Sequence, residues 1–259
     1  MAGALKSTSE GRTLILTLSN PEHRNALGPE MYAAGVEALN AAENNPEIRS
    51  VIITGEGDTF CAGGNLQRLL ANRQAPIETQ TQSIDGLHSW IDSIRTFPKP
   101  VIAAVEGAAA GAGFSLALAC DFTIAADSAI FAMAYSTVGL SPDGGASWAL
   151  ARALPRALVA RILMLGERIP ATRLHALGLV SELAPAGGAI TAALQLAERL
   201  NERAPNVLAS VKELVNDAAD STLSQQLLSE RNHFVKNLRH RNGGEGIEAF
   251  LQKRKPNYP

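Results

Sequence analysis

Three stretches of the chain carry residues that could do chemistry, and each couples small residues to the start of a helix. The first is Phe60-Cys61-Ala62-Gly63-Gly64-Asn65-Leu66. Backbone N–H groups just ahead of a helix have no partner inside it and lie in its positive field. Two glycines let a ligand oxygen approach that backbone closely. Gly64 can therefore present an N–H to an anion or oxyanion, with Asn65 capping the helix. Taken by itself, the stretch fits an ordinary strand-to-helix turn at least as well.

The second stretch is Lys99-Pro100-Val101-Ile102-Ala103-Ala104-Val105-Glu106-Gly107, continued by Ala108-Ala109-Ala110-Gly111-Ala112-Gly113-Phe114. A dinucleotide fingerprint needs a third small residue where Leu116 stands, and an acid about 20 residues further on. No Gly-Lys-Ser/Thr follows, so a phosphate-cradling loop is excluded too. What remains is a second helix start, with Ala112 offering its N–H. Two such turns, if they converge, form an oxyanion hole. That suits a thioester losing an α or γ proton, because charge then builds on the thioester oxygen. Losing one such donor typically costs about 10²–10³ in rate.

The third stretch is Gly139-Leu140-Ser141-Pro142-Asp143-Gly144-Gly145. Pro-Asp-Gly fits turn and capping chemistry. The catalytic reading is a carboxylate acid/base in an apolar cleft. The five histidines, His23, His88, His175, His233 and His240, show neither metal-ligand spacing nor a partnered nucleophile, so no metal site is expected. Cys120, within an expected buried helix, reads as a small core residue. Lys253-Arg254-Lys255 closes a helix, which suits the helix dipole or a bound phosphate.

These stretches must be held by alternating strands and helices. Thr13–Ser19 alternates at period two, and Ser50–Thr54 and Val101–Val105 read as buried strands. Helices are expected over Pro29–Ala42, from Leu66, over Ile84–Phe97 and over Phe114–Ala119, with Gly107–Gly113 as a turn. Strands follow at Phe122–Ala125 and Ala129–Met133. Helices at Ala146–Leu154, Arg156–Leu165 and Thr172–Leu177 precede a last strand, Leu179–Leu183. Beyond Pro185 the pattern is helical throughout, over Ile190–Arg203, Asn206–Asp217, Leu223–Leu238 and Gly244–Lys253. The expected organisation is an α/β body over 1–185 and a helical region over 186–259.

The chain of 259 residues is long enough for a substantial core. Its 23 basic and 25 acidic residues leave a net charge of −2, which argues against a nucleic-acid partner or membrane attachment. Two cysteines make no disulfide framework, and the opening residues lack an apolar signal segment. A reduced, cytoplasmic setting is the expectation.

Phe60–Leu66, Lys99–Gly113, Cys120-Asp121, Gly139–Gly145 and Phe250–Pro256 together resemble, in order and spacing, the crotonase (enoyl-CoA hydratase/isomerase) superfamily. The likeness spans essentially the whole chain, including Asn20-Pro21 and Arg24-Asn25-Ala26-Leu27. It implies an α/β spiral of ββα units followed by a C-terminal helical region for trimerisation. It also implies an acyl-CoA substrate, a homotrimer or dimer of trimers, and no cofactor beyond the CoA moiety. The oxyanion donors would be the N–H groups of Gly64 and Ala112. Ala62, Gly63, Gly64, Asn65 and Leu66 would wrap the CoA adenine and pantetheine, with Arg24 and Lys253 near the phosphates. The Lys253 contact would come from a neighbouring subunit. Ala26, Ser115, Tyr135 and Phe250 would be further substrate contacts.

Two departures from the family pattern bear on the reaction. Hydratases of this superfamily add water with two glutamates, and here those positions hold Ser115 and Tyr135. An unperturbed tyrosine titrates only near 10, so it makes a poor base at neutral pH. Asp143 falls where several branches carry a catalytic aspartate. The run around Tyr135, Gly139 and Asp143 is most similar to the branch isomerising ring-epoxide phenylacetyl-CoA. One carboxylate suits isomerisation, taking a proton at one carbon and returning it at another. Three other readings stand beside it. A hydratase-like lyase would use Asp143 with Ser115 or Tyr135 to position water. A dehalogenase-like enzyme would use Asp143 as nucleophile. A third possibility is an acyl-CoA-binding protein without catalysis.

Overall fold

The computed structural model describes residues 3–259. A hairpin opens the chain, β1 (Ala4–Glu10) and β2 (Thr13–Ser19), followed by α1 (Pro29–Glu43) and β3 (Ser50–Gly55). Next come α2 (Leu66–Asn72), α3 (Ile77–Thr96), β4 (Val101–Val105), β5 (Ala108–Ala110) and α4 (Ala112–Ala119). The middle of the chain holds β6 (Phe122–Ala126), β7 (Ile130–Ala132), α5 (Ala146–Ala153), α6 (Arg156–Leu165), β8 (Arg168–Pro170), α7 (Ala171–Ala176) and β9 (Glu182–Ala184). Four helices end it: α8 (Ala189–Asn201), α9 (Pro205–Ala218), α10 (Leu223–Arg239) and α11 (Arg241–Leu251).

The strands form two sheets. The larger runs β1-β2-β3-β4-β6-β9, parallel throughout except for the antiparallel β1–β2 hairpin. The smaller runs β5-β7-β8. A parallel bridge between Cys61 and Ala109 extends it by one position. The chain therefore repeats one path. A strand of the large sheet leads to a short strand or bridge beside the small sheet, and then to a helix. β3–Cys61–α2, β4–β5–α4 and β6–β7–α5 each follow it, which is the ββα spiral expected from the resemblance.

The central strands are apolar because both faces are covered. Val51, Ile53, Val101, Ala103 and Val105 point into the main core with Phe60, Trp90 and Phe114. Ile52, Ile102, Ala104 and Ile124 point the other way, onto Ala189, Ala193, Leu196 and Ala197 of α8. The most C-terminal helices are held differently. Lys212 of α9 reaches Asp121 at 2.8 Å and the carbonyl of Ile94 at 2.9 Å. No residue of α10 is buried, and its Leu227, Phe234 and Leu238 are exposed. Among the described residues no helix is long and apolar enough to cross a membrane.

Several sequence expectations are corrected. Gly107–Gly113 is not one turn, since β5 lies within it and α4 begins at Ala112 rather than Phe114. Three alanines pair as a strand there because Cys61 and β7 flank them closely. β1 is polar and mostly exposed, so it carries no burial pattern; its pairing with β2 makes it a strand. β8 is only three residues long and gave no periodic signal. α3 starts at Ile77, well before Ile84, and β9 lies at Glu182–Ala184 rather than Leu179–Leu183. α11 begins at Arg241 and stops before Lys253, which takes the left-handed conformation with φ 55°. Cys120 caps α4 instead of lying within it.

Candidate active site

The turn at Gly63–Gly64 is fastened on both sides. Leu27 N–H donates to Gly63 O at 2.8 Å, and Ala62 N–H donates to Arg24 O at 2.9 Å. On the other side Cys61 N–H donates to Ala108 O at 2.9 Å, and Ala110 N–H donates to Cys61 O at 2.8 Å. Gly63 has φ +97°, a conformation that side chains disfavour. A Cβ placed on it would stand 2.8 Å from Ala110 O and 3.4 Å from Ala112 N. A Cβ on Gly113 would stand 2.6 Å from the Cys61 carbonyl oxygen. The two glycine-rich turns are thus in contact. Among the described residues, neither the Gly64 nor the Ala112 N–H donates to a protein acceptor. Asn65 caps α2, its Oδ1 accepting from Arg68 N at 3.1 Å.

The Asp143 turn meets α4 at the same place. Ser115, buried in the first turn of α4, donates from Oγ to the Asp143 carbonyl at 3.0 Å. The Tyr135 hydroxyl donates to Oδ1 of Asp143. The Tyr135 ring lies 3.5 Å from where a Cβ on Gly111 would stand, and Gly111 precedes Ala112. Gly144 has φ +59° and packs so closely on Ser115 that a Cβ would sit 2.8 Å from the serine Cβ. Asp143 does not cap α5; its side chain is committed to Tyr135, and Gly145 is the cap residue.

Burial raises the Asp143 carboxyl above the ordinary carboxylate range, against the Tyr135 hydrogen bond and the charge of His88, which lower it. Burial also raises the Tyr135 phenol, and the Asp143 carboxylate beside it pushes in the same direction. Tyr135 is therefore a proton-bearing donor at neutral pH. The Cys61 thiol, under the first turn, is pushed up to about 12 by burial, which makes it inert packing.

The remaining expected positions fall into two groups. Arg24 and Ala26 lie on the loop fastened to Ala62, with Arg24 exposed and left-handed at φ 49°. Leu66 is exposed at the start of α2. Arg24, Leu66 and Ala62–Asn65 lie on the loops fastened beside Gly64, while Ala26 is buried. Phe250 and Lys253 do not join it within the chain. α11 packs on α10, and Phe250 is 84% exposed.

Three further residues belong to this region, and the sequence gives none of them a role. Buried Asn25 accepts from Asn20 N and donates to Glu56 O and Thr59 O, tying the Arg24 loop to the loop that leads into Gly64. His88 lacks metal-ligand spacing, yet it lies close enough to lower the Asp143 carboxyl. Tyr32, pushed up to about 12 by burial, lies within reach of the charges of both Arg68 and Asp143. Helical spacing placed Tyr32 and His88 on amphipathic helices without saying which loop each faces.

Residues 9–259 match the family described as Enoyl-CoA hydratase/isomerase, and the chain belongs to that family. It is 36% identical over 250 residues to 1,2-epoxyphenylacetyl-CoA isomerase of Escherichia coli (strain K12), covering 96% of this chain and 95% of that protein. It is 34% identical to 2,3-dehydroadipyl-CoA hydratase of the same organism, covering 95% of each chain. Among solved structures, an enoyl-CoA hydratase from Polaromonas sp. JS666 superposes with a TM-score of 0.99 at 74% identity, covering 99% of this chain and 100% of that one. The fold is that of the crotonase superfamily.

Proposed function

We propose that the protein isomerises an acyl-CoA thioester, with the Gly64 and Ala112 N–H groups on the thioester oxygen and Asp143 as the proton shuttle. One observation carries this reading: Asp143 is held beside the Ala112 helix start by Ser115 and Tyr135, the two residues that stand where hydratases use glutamates. Tyr135 occupies Oδ1 of Asp143, which leaves Oδ2 to take the proton. As the C–H bond breaks, its electron pair moves into the thioester and charge gathers on the oxygen facing the two N–H donors. Returning the proton at another carbon completes the isomerisation. The likeness to 1,2-epoxyphenylacetyl-CoA isomerase supports double-bond or ring-epoxide isomerisation as the reaction.

The CoA moiety would run along Ala26 and Ala62–Leu66, with Arg24 at its phosphate end. Phe250 and Lys253 would reach that end from a neighbouring subunit of a homotrimer or dimer of trimers. Support comes from the exposed apolar side chains of α10 and α11. Light scattering should return three or six times the single-chain mass; a fully active monomer would contradict this part.

Asp143→Asn keeps the shape and removes the base. Its turnover should fall by about 10²–10⁴ on a substrate the wild type isomerises, with acyl-CoA binding retained. Wild-type turnover by Asp143→Asn would exclude the shuttle. A second reading, hydration, is supported by the hydratase relatives, with the Tyr135–Asp143 pair positioning a water. Product formed in ¹⁸O-labelled water separates the two: isomerisation incorporates no label, and hydration does.

A further inference from the structure

We propose that Arg68 recognises a carboxylate at the far end of the acyl group, so that the substrate is a CoA monothioester of a dicarboxylic acid. This deepens the isomerase reading and rests on it for the placement of the acyl group.

Arg68 stands in the first turn of α2, its N–H on Asn65 Oδ1, directly behind Gly64. Its side chain turns inward between α1 and α3. Nη2 donates to Ser83 Oγ over 3.4 Å, at the long limit of a hydrogen bond. Nη1 lies 3.1 Å from where a Cβ on Gly28 would stand. Nε is buried and has no partner. Among the described residues no carboxylate forms an ion pair with this guanidinium. Arg68 is half-buried with its Nε shielded from water, and a charge so placed gains from a counter-ion. Its planar fork matches a carboxylate with two parallel hydrogen bonds.

The position relative to the reaction centre comes from α3. Ser83 and Leu87 are both buried on that helix and lie four residues apart, on one face. Ser83 meets Arg68, while Leu87 reaches within 3.7 Å of where a Cβ on Gly144 would stand, next to Asp143. The α3 residues that meet the guanidinium and the Asp143 loop are thus four positions apart, roughly 6 Å along the helix. An acyl group with its oxygen at Gly64 and Ala112 and its reacting carbon at Asp143 comes within reach of Arg68 after a few carbons.

The test is equilibrium binding of saturated thioesters, which needs no turnover. Calorimetry would compare succinyl-, glutaryl- and adipyl-CoA with butyryl-, valeryl- and hexanoyl-CoA. For the best-matched pair the wild type should favour the carboxylate by about tenfold or more, the worth of a charge-assisted contact. Arg68→Met should bring that ratio to about one, and Arg68→Lys should keep part of it. Equal affinity within every pair, or a preference that survives Arg68→Met, would overturn the proposal. So would an equal loss for free CoA and all thioesters, which would assign Arg68 to the CoA arm. Where the Met variant fails to fold, Arg68→Lys carries the comparison, and an unchanged ratio there overturns the proposal. A protein that shows the preference yet isomerises nothing would overturn the proton-shuttle reading alone.

Discussion

The hydroxyl of Tyr135 donates to the carboxylate of Asp143, eight residues further along the chain, beside the residue that precedes Ala112. Burial of Asp143 disfavours its charge, and this hydrogen bond works against that effect. Tyr135→Phe removes the opposing influence, so the carboxyl pKa should rise further. A base must be ionised to act, so the acidic limb of kcat/KM should move to higher pH. The pH–rate profiles of the two proteins check this; an unmoved limb would mean the phenol does not hold the charge.

The same shift bears on stability. A folded-state carboxyl raised above its unfolded value binds its proton more tightly when folded. Its contribution is fully present at low pH and is lost as pH rises through the raised value. At neutral pH the buried charge is a cost to the fold. Asp143→Asn keeps an acceptor for Tyr135 and removes the charge. Its Tm should exceed the wild type's at pH 7, and the gap should close as pH falls towards the ordinary carboxylate range. Thermal scans over pH would show a constant or reversed gap if burial were not the cause.

Gly63→Ala tests the convergence of the two turns. The new Cβ would meet Ala110 O at 2.8 Å on a backbone with φ +97°. The two N–H donors should be pushed apart, and turnover should fall by about 10²–10³, the usual effect of a lost oxyanion donor. Circular dichroism should show the fold retained. Near-wild-type turnover would mean that the spacing of these turns is not critical.

Asn25→Ala removes three hydrogen bonds at a fully buried side chain and leaves two carbonyls and one N–H without their partner. A loss of about 2–4 kcal/mol is expected. Denaturant unfolding measures it. A change under 1 kcal/mol would mean that water replaces the side chain there.

Lys212→Ala strands Asp121, a carboxyl already raised by burial and held down chiefly by Lys212. The Lys212 side chain is only 10% exposed, so solvent screens the pair weakly. The variant should lose about 3 kcal/mol, more than an exposed pair would cost. Unfolding with an early phase confined to α9–α11 would show that this contact secures the C-terminal helices.

Much of the fold was legible because it follows local rules. β3 and β4 are apolar runs, and the long C-terminal helices are amphipathic, so their existence and type could be read directly. β1, β5 and β8 could not, because pairing rather than burial pattern makes them strands. The first turns of α3 carry no apolar stripe, so its periodicity shows only from Ile84 onward.

By itself the sequence determined which groups are available: two glycine-rich helix starts, one carboxylate at Asp143, and Ser115 and Tyr135 in place of glutamates. It could not determine that they meet. A glycine-rich turn has the same composition whether it faces a ligand or solvent. Side-chain period says which face of a helix is buried, but not against which loop. The tertiary structure decided that Gly63 touches Ala110, that Tyr135 claims Asp143 in place of a helix cap, and that Arg68 points inward without a counter-ion. These contacts join residues between eight and nearly fifty positions apart, and packing of the whole chain sets them where local residue preferences do not.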